Sequence, residues 1–343
     1  MKNCNLVAID IAKNVFQLHG IDKESRCCLT KRLSRDSFKT YLHQLPVCTI
    51  VMEACGSAHY WGRYLQKLGH EVKLISPQYV KPFVKGNKTD KNDSQAIAEA
   101  ALRPSMRFVG IKNVEQQDIQ CVHKIRERVI HQRTALSNQI RGLLLEYGIA
   151  IPQGIHVLMR YLPEILEDSC NELSDFMRGE MSSLYSELIA INQRIDSYDQ
   201  KLQTMYKQSE VAQRMGKVEG VGRVIATALL GLGDVKHFKN GRHFSAFLGL
   251  VPKEHSSGNK QRQMGITKRG NCYIRQLLIH GARSVLIRVK NKQDKKSQWL
   301  QELIARRGMN RACCALANKM ARVLWVIMAK GENYKVSVEA KVV

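Results

Sequence analysis

The chain has 343 residues, enough for two or three domains that each bury a core. Its 54 lysines and arginines outweigh 30 aspartates and glutamates, giving a formal charge of +24 and a pI near 9.7. That excess points to a polyphosphate partner without naming a reaction; no uninterrupted apolar run approaches the roughly eighteen residues of a membrane span, so none is expected.

The amino terminus, "MKNCNLVAID", meets an acid too early for a signal peptide. Within it "LVAID", residues 6 to 10, reads as a buried strand ending in Asp10, and "VFQLHGI" as its hairpin partner. "RCCLTKRLS" supplies a third strand, "SRDSFKTYLHQL" a capped amphipathic helix, and "VCTIVMEACG" a strand that reaches Glu53. The helix "SAHYWGRYLQKLG" and the strand "HEVKLIS" follow, then a basic connection and the helix of "KTDKNDSQAIAEAAL". Asp90 and Asp93 stand three apart at its start. One reading makes Asp90 the N-cap and Asp93 a partner of the helix dipole; the other makes them two carboxylates on one face, able to reach one divalent cation.

Three strands, helix, strand, helix, strand, helix is the order of the ribonuclease H and Holliday-junction-resolvase (RuvC-like) pattern. Asp10, Glu53, Asp90 and Asp93 fall where that fold gathers its acids. Four converging carboxylates repel by on the order of 4 kcal/mol per close pair at an effective dielectric of 20. Magnesium held by oxygen ligands offsets such repulsion, and it stabilises charge on a reacting phosphodiester.

Residues 114 to 148 form one long helical pattern carrying Arg126, Arg133 and Arg141, either a solvated face or one that tracks phosphates. From 177 to 205 apolar residues recur at 4-3 spacing: Met177, Met181, Leu184, Leu188, Ile191, Ile195, Tyr198, Leu202 and Met205. Such heptads predict a coiled coil, between chains or folded back within one, with pairing between chains the favoured reading. "VEGVGRVIATALLGLGD" reads as a helix-hairpin-helix element or an ordinary tight turn; Gly220, Gly222 and Arg223 are its candidate phosphate contacts. In the loop "KEHSSGNKQRQMGITKRGN", Ser256 and Ser257 precede Gly258 among Lys260, Arg262, Lys268 and Arg269. A turn explains the serines alone; a hydroxyl beside phosphate-binding cations is also the setting of a nucleophile.

Taken together, "AIDIAKN", "MEACGSAHYW", "KTDKNDSQAIAEA", "RTALSNQIRGLLLEYGI", "EGVGRVIATAL", "FLGLVPKEHSSGNKQRQMGITKRGNCYIRQLL" and "ALANKMARVLW" resemble, in order, the motifs of a family of insertion-sequence transposases. Its members pair an Asp-Glu-Asp-Asp resolvase-like domain with a serine-bearing domain; they are related to pilin-gene invertases and are understood as bridge-RNA-guided recombinases. The resemblance implies that Asp10, Glu53, Asp90 and Asp93 hold Mg2+ and that Ser257, next to the glycine, links covalently to a DNA end. It also implies donor and target DNA and a structured noncoding guide RNA as partners. The assembly it implies is a dimer or tetramer, in which one subunit's acids meet another's serine.

The expected architecture is thus α/β plus α: a resolvase-like domain over 1–110, a helical linker and coiled coil over 111–212, a mainly helical serine domain over 213–330, and a tail over 331–343. The ten cysteines lack zinc-site spacing and are expected to be reduced thiols of a cytoplasmic, nucleoid-associated prokaryotic protein without membrane partners. The expected activity is strand cutting and rejoining through a serine–DNA ester. A hydrolytic resolvase-like nuclease and a non-catalytic basic nucleic-acid-binding protein are the alternatives.

Overall fold

The structure is a computed structural model that describes residues 4–87, 89–258 and 260–334. Of the expected tail, residues 335–343 lie outside the described residues. The chain divides into two units, residues 1–117 with 232–237, and residues 118–231 with 238–343.

In the first unit the strands are β1 (Leu6–Ile11), β2 (Val15–Ile21), β3 (Cys27–Ser34), β4 (Thr49–Glu53) and β5 (Glu71–Ile75). The helices α1 (Arg35–Gln44) and α2 (Ala58–Lys67) alternate with the last of these, then come a short α3 (Pro77–Val80) and α4 (Asp90–Ala101). Apart from α3, which lies in what was expected to be a basic connection, this is the expected order. A two-residue strand, β6 (Phe108–Val109), was not expected, and it completes a six-stranded sheet ordered β3-β2-β1-β4-β5-β6. Strands β1, β4 and β5 run parallel, while β2, β3 and β6 pair antiparallel.

The period of two along each strand divides the core. Val7, Ile9, Ile50 and Met52 face α1 and α2, where Phe16, Phe38 and Trp61 pack with the Phe16 and Phe38 ring centroids 4.1 Å apart. Leu6, Ala8 and Val51 face the other way, onto Ala96, Ile97 and Ala100 of α4. Cys4 and Cys28 form a disulfide across β2, which corrects the expectation that every thiol is free. Gly20 makes room for it, since a Cβ there would stand 2.9 Å from the Cys4 sulfur. The eight other cysteines are free.

In the second unit the helical middle and the serine-bearing segment share a single unit, where separate domains were expected. Its helices are α5 (Val114–Leu145, entering from the first unit), α6 (Ile155–Glu167), α7 (Asp175–Gln208), α8 (Glu210–Gly216), α9 (Arg223–Leu230) and α10 (Gly241–Phe247). A hairpin of β7 (Pro252–Glu254) and β8 (Gln263–Ile266) follows, then α11 (Cys272–Leu286), α12 (Lys295–Arg307) and α13 (Met309–Lys330). The reason for the merger is that α8 packs on α9 and α13, and α7 on α9.

Every seventh residue of α7, Met181, Leu188, Ile195 and Leu202, is buried within the chain itself. Met181 and Leu188 share a cluster with Leu136, Ile140 and Leu144 of α5 and Leu158 and Leu162 of α6, so the heptad serves intramolecular packing along this row. Met177, Leu184 and Ile191 are partly buried against the same cluster. Helix α13 is long and apolar enough to cross a membrane, which scanning for uninterrupted apolar runs missed. Its residues Leu316, Ala317, Met320 and Leu324 are instead buried in the unit's core, where α13 packs on α10 and α11.

Candidate active site

Strand parity brings the acids together. Asp10 follows Leu6 and Ala8 on the α4 face of β1, and Glu53 follows Val51 on the same face at the end of β4. The two strands pair in parallel as far as Ile9 with Met52, so Asp10 and Glu53 are carried side by side past the last bonded pair. Helix α4 packs across β1 and β2 and begins at Asp90. The Asp10 carboxyl is pushed up to about 6, first by burial and then by the charges of Asp93, Asp90 and Glu53. Neighbouring Cys55 is raised to about 11 by burial, with Glu53 and Asp10 adding to it. Negative charge is therefore concentrated around Asp10.

The cap of α4 is Thr89, not Asp90: its hydroxyl accepts from the amide of Asn92 at 3.2 Å. Asp90 is therefore the first helical residue, one place further in than the sequence reading set it. Both aspartates stay in the first turn, where the dipole favours them, yet neither carboxylate is spent on capping. Asp90 faces Arg32 of β3 at 3.8 Å, with both side chains largely exposed.

Among the described residues, no three His, Cys, Asp or Glu side chains stand close enough together to hold a metal ion. The donor set nevertheless fits a hard divalent cation, because it is all oxygen and Asp10 is strained electrostatically by three other carboxylates.

Ser257 lies in the β7–β8 hairpin of the second unit. Residues 252 to 258 are exposed, and Gly258 turns the chain with a φ of 57°. Ser256 donates from Oγ to Glu254 Oε1 at 2.7 Å. The Ser257 hydroxyl has no hydrogen-bond partner among the described residues, and its backbone bridges to Lys260. The tip is open, but the base is clamped. A Cβ on Gly249 would overlap the Arg269 carbonyl oxygen, and one on Gly270 that of Phe247, so the strands' roots touch backbone to backbone. Arg275, 5% exposed, donates to the carbonyls of Leu248 and Arg269 at 3.1 and 3.2 Å.

Residues 7–149 match the profile of an IS110-type DEDD transposase domain, and residues 212–298 that of the "Transposase IS116/IS110/IS902 family". The chain is 48% identical to the transposase for insertion sequence element IS1111A of Coxiella burnetii, over 98% of this chain and 92% of that one. It is 44% identical to a probable family 20 transposase of Pseudomonas aeruginosa, over 97% and 99%. With the transposase for insertion sequence element IS1328 of Yersinia enterocolitica it shares 38%, over 96% and 98%. The chain belongs to the IS110/IS116/IS902 family of transposases.

The two matched regions of this transposase contain the four acids and the serine hairpin respectively. The arginines of α5 proposed for phosphate tracking have partners inside the chain. Arg126 pairs with Asp199 at 2.8 Å, Arg133 donates to Asn192, and Arg141 donates to the carbonyls of Ser137, Pro152 and Gly154. Neither the solvated face nor the phosphate-tracking face describes these contacts, since each arginine ties α5 to α7 or to the loop before α6. The element around Gly220 is a helix, turn and helix, α8 to α9. Gly220, at φ 83°, packs so closely on α11 that a Cβ would stand 2.5 Å from the Gly281 oxygen, which gives it a packing role. Gly222 caps α9 through its backbone alone, with open space where a side chain would be, and Arg223 beside it is exposed. Lys260, Arg262, Lys268 and Arg269 are all exposed around the hairpin.

Sequence reasoning missed Thr89, Arg32, Glu254 and Arg275. A signal existed for two of them. Thr89 precedes the first helical residue, as a cap should, and Arg275 stands on the apolar stripe of Leu278, Ala282 and Val285, where a cation needs buried acceptors.

Proposed function

We propose that this transposase cuts and rejoins DNA through attack by Ser257, with Asp10, Glu53, Asp90 and Asp93 holding magnesium, under the guidance of a structured noncoding RNA. The observation that carries the reading is that Asp10 and Glu53 end adjacent strands on the face where α4 begins with Asp90 and Asp93, near enough that the charges of the other three raise the Asp10 carboxyl. A bound divalent cation would supply charge stabilisation on the phosphate and lower the pKa of the attacking hydroxyl. Asp10 and Glu53 would be its fixed ligands, because the central strands position them; Asp90 and Asp93 would close the site from α4.

Ser257 supports the nucleophile role by its freedom. Its neighbour Ser256 is engaged by Glu254, whereas the Ser257 hydroxyl is exposed among cations suited to a phosphate. In the step, a bond forms from Ser257 Oγ to phosphorus as the bond to the departing sugar oxygen breaks; the serine proton is lost and the sugar oxygen gains one. The ester conserves the phosphodiester energy, so rejoining needs no ATP. Lys260 and Arg262 would hold the phosphate in place. The acids and the serine lie in different units of the chain, which is compatible with a dimer or tetramer whose active sites draw acids from one subunit and serine from another.

Incubating the protein with its guide RNA, DNA and magnesium tests the reading. Protein-linked DNA ends are expected. Free ends would establish the hydrolytic resolvase-like alternative, and intact DNA would favour a binding protein.

A further inference from the structure

Within the second unit, away from the serine hairpin, α10, α12 and α13 enclose a cleft of about 780 Å3. Trp299 of α12 and Trp325 and Val326 of α13 give it apolar surface, while Arg242, Lys319 and Arg322 bring three exposed cations to the same space. No aspartate or glutamate lines it among the described residues. The Lys319 ammonium lies 4.9 Å from the centre of the Trp299 ring, and that tryptophan is only half-buried. Gly241 allows the closeness of the walls, because a Cβ there would stand 2.9 Å from the Arg322 carbonyl oxygen.

A half-exposed indole is costly to leave wet, and its ring presents two faces of which one cation covers one. Flat aromatic surface joined to positive charge, without acids, is complementary to a base and its phosphates. The cleft volume is in the range that accepts a small-molecule-sized group. A paired base cannot enter, since its faces are occupied by the stack. We infer that this cleft holds an unpaired nucleotide of a single strand, its base on Trp299 and its phosphates on Arg242, Lys319 and Arg322. The inference rests only on the nucleic-acid-binding part of the proposed function, not on the acids or Ser257.

The test is binding of the full-length protein, in EDTA so that metal plays no part, to a single-stranded DNA, a single-stranded RNA and a duplex of the same sequence. Tryptophan emission reports the contact, since Trp61, the third tryptophan, is fully buried in the other unit. Single strands should quench emission, and Trp299→Ala should weaken their binding about 10-fold while leaving duplex affinity unchanged. Trp299→Phe, which keeps a stacking ring, should retain most of it and guards against a folding defect. Arg322→Gln should lower the single-strand salt slope by about one contact. Tighter binding of RNA would name the guide as the source, and tighter binding of DNA a displaced strand. Unchanged single-strand affinity in Trp299→Ala, or an equal loss on duplex, overturns the cleft alone. Failure of the wild-type protein to bind any of the three nucleic acids overturns the nucleic-acid reading as well.

Discussion

Asp10 and Glu53 stand at the ends of two paired central strands with α4 packed on their face, whereas Ser257 stands near the tip of a hairpin whose residues 252 to 258 are all exposed. The acid end is built by the core: strand parity and the sheet fix where Asp10 and Glu53 stand. The serine end is built at its root, by Gly249, Gly270 and Arg275, and is left open at its tip. The difference would suit the two tasks proposed for these ends. Charge stabilisation depends on groups already in place before the reaction, whereas a nucleophile that forms and later releases an ester must be reached by DNA from solvent.

The largest expected effects break the acid end. Asp10→Asn and Glu53→Gln should each lower recombination by at least on the order of 100-fold, in a strand-transfer assay, while nucleic-acid binding is kept. The same residue carries an opposite effect on stability. Because the folded-state carboxyl of Asp10 is raised above its unfolded value, to about 6, it disfavours the fold increasingly as pH rises from about 4 to 6. Asp10→Asn should therefore stabilise the metal-free protein at pH 7 by about 1 to 2 kcal/mol, allowing for solvent screening, as read by denaturant unfolding. Added magnesium should stabilise the wild type and not the variant.

The root of the hairpin comes next. Arg275→Met should cost about 2 to 4 kcal/mol of unfolding free energy, since the buried Leu248 carbonyl and the partly buried Arg269 carbonyl lose a charged donor. A comparable loss from substitution at the exposed Lys260 would erase the distinction between root and tip.

A third prediction concerns the helical core that carries the hairpin. His123 of α5 lies between Tyr273 of α11 at 2.9 Å and Thr227 of α9 at 3.0 Å, and burial, followed by the charge of Arg126, lowers its pKa to about 4. A depressed histidine holds its proton less well folded than unfolded, so stability should fall as pH drops from about 6.5 to 4, by about 2 to 3 kcal/mol in all. His123→Gln should flatten that part of the profile. The smallest effect is at α4: Thr89→Ala should cost about 1 kcal/mol, and Asp90→Asn much less, because the threonine is the cap.

The first unit was largely legible because its strands and helices alternate with clear periods, and the two acids end β-rich runs. What escaped there was local or long-range: the choice between Thr89 and Asp90 as cap, one residue apart; the two-residue β6, too short for a periodicity; and the pairing of Cys4 with Cys28, which depends on Gly20 lying between them. In the second unit, the heptads of α7 were visible but not their partners, since a 4-3 spacing is the same for packing within a chain or between chains. Arg126, Arg133 and Arg141 looked like a phosphate face until Asp199, Asn192 and the loop carbonyls supplied acceptors distant in sequence. The division into units was obscured by residues 232–237, which return to the first unit, where Asp234 meets Gly110.

The central claim is that an exposed serine in the clamped hairpin attacks DNA with the help of acids in the other unit, and mass spectrometry of trapped, nuclease-digested complexes tests it most directly. The account predicts nucleotide mass on the peptide carrying Ser257, lost together with cleavage in Ser257→Ala and retained in part in Ser256→Ala. Cleavage at the wild-type rate by Ser257→Ala, with free ends and no adduct, would contradict it.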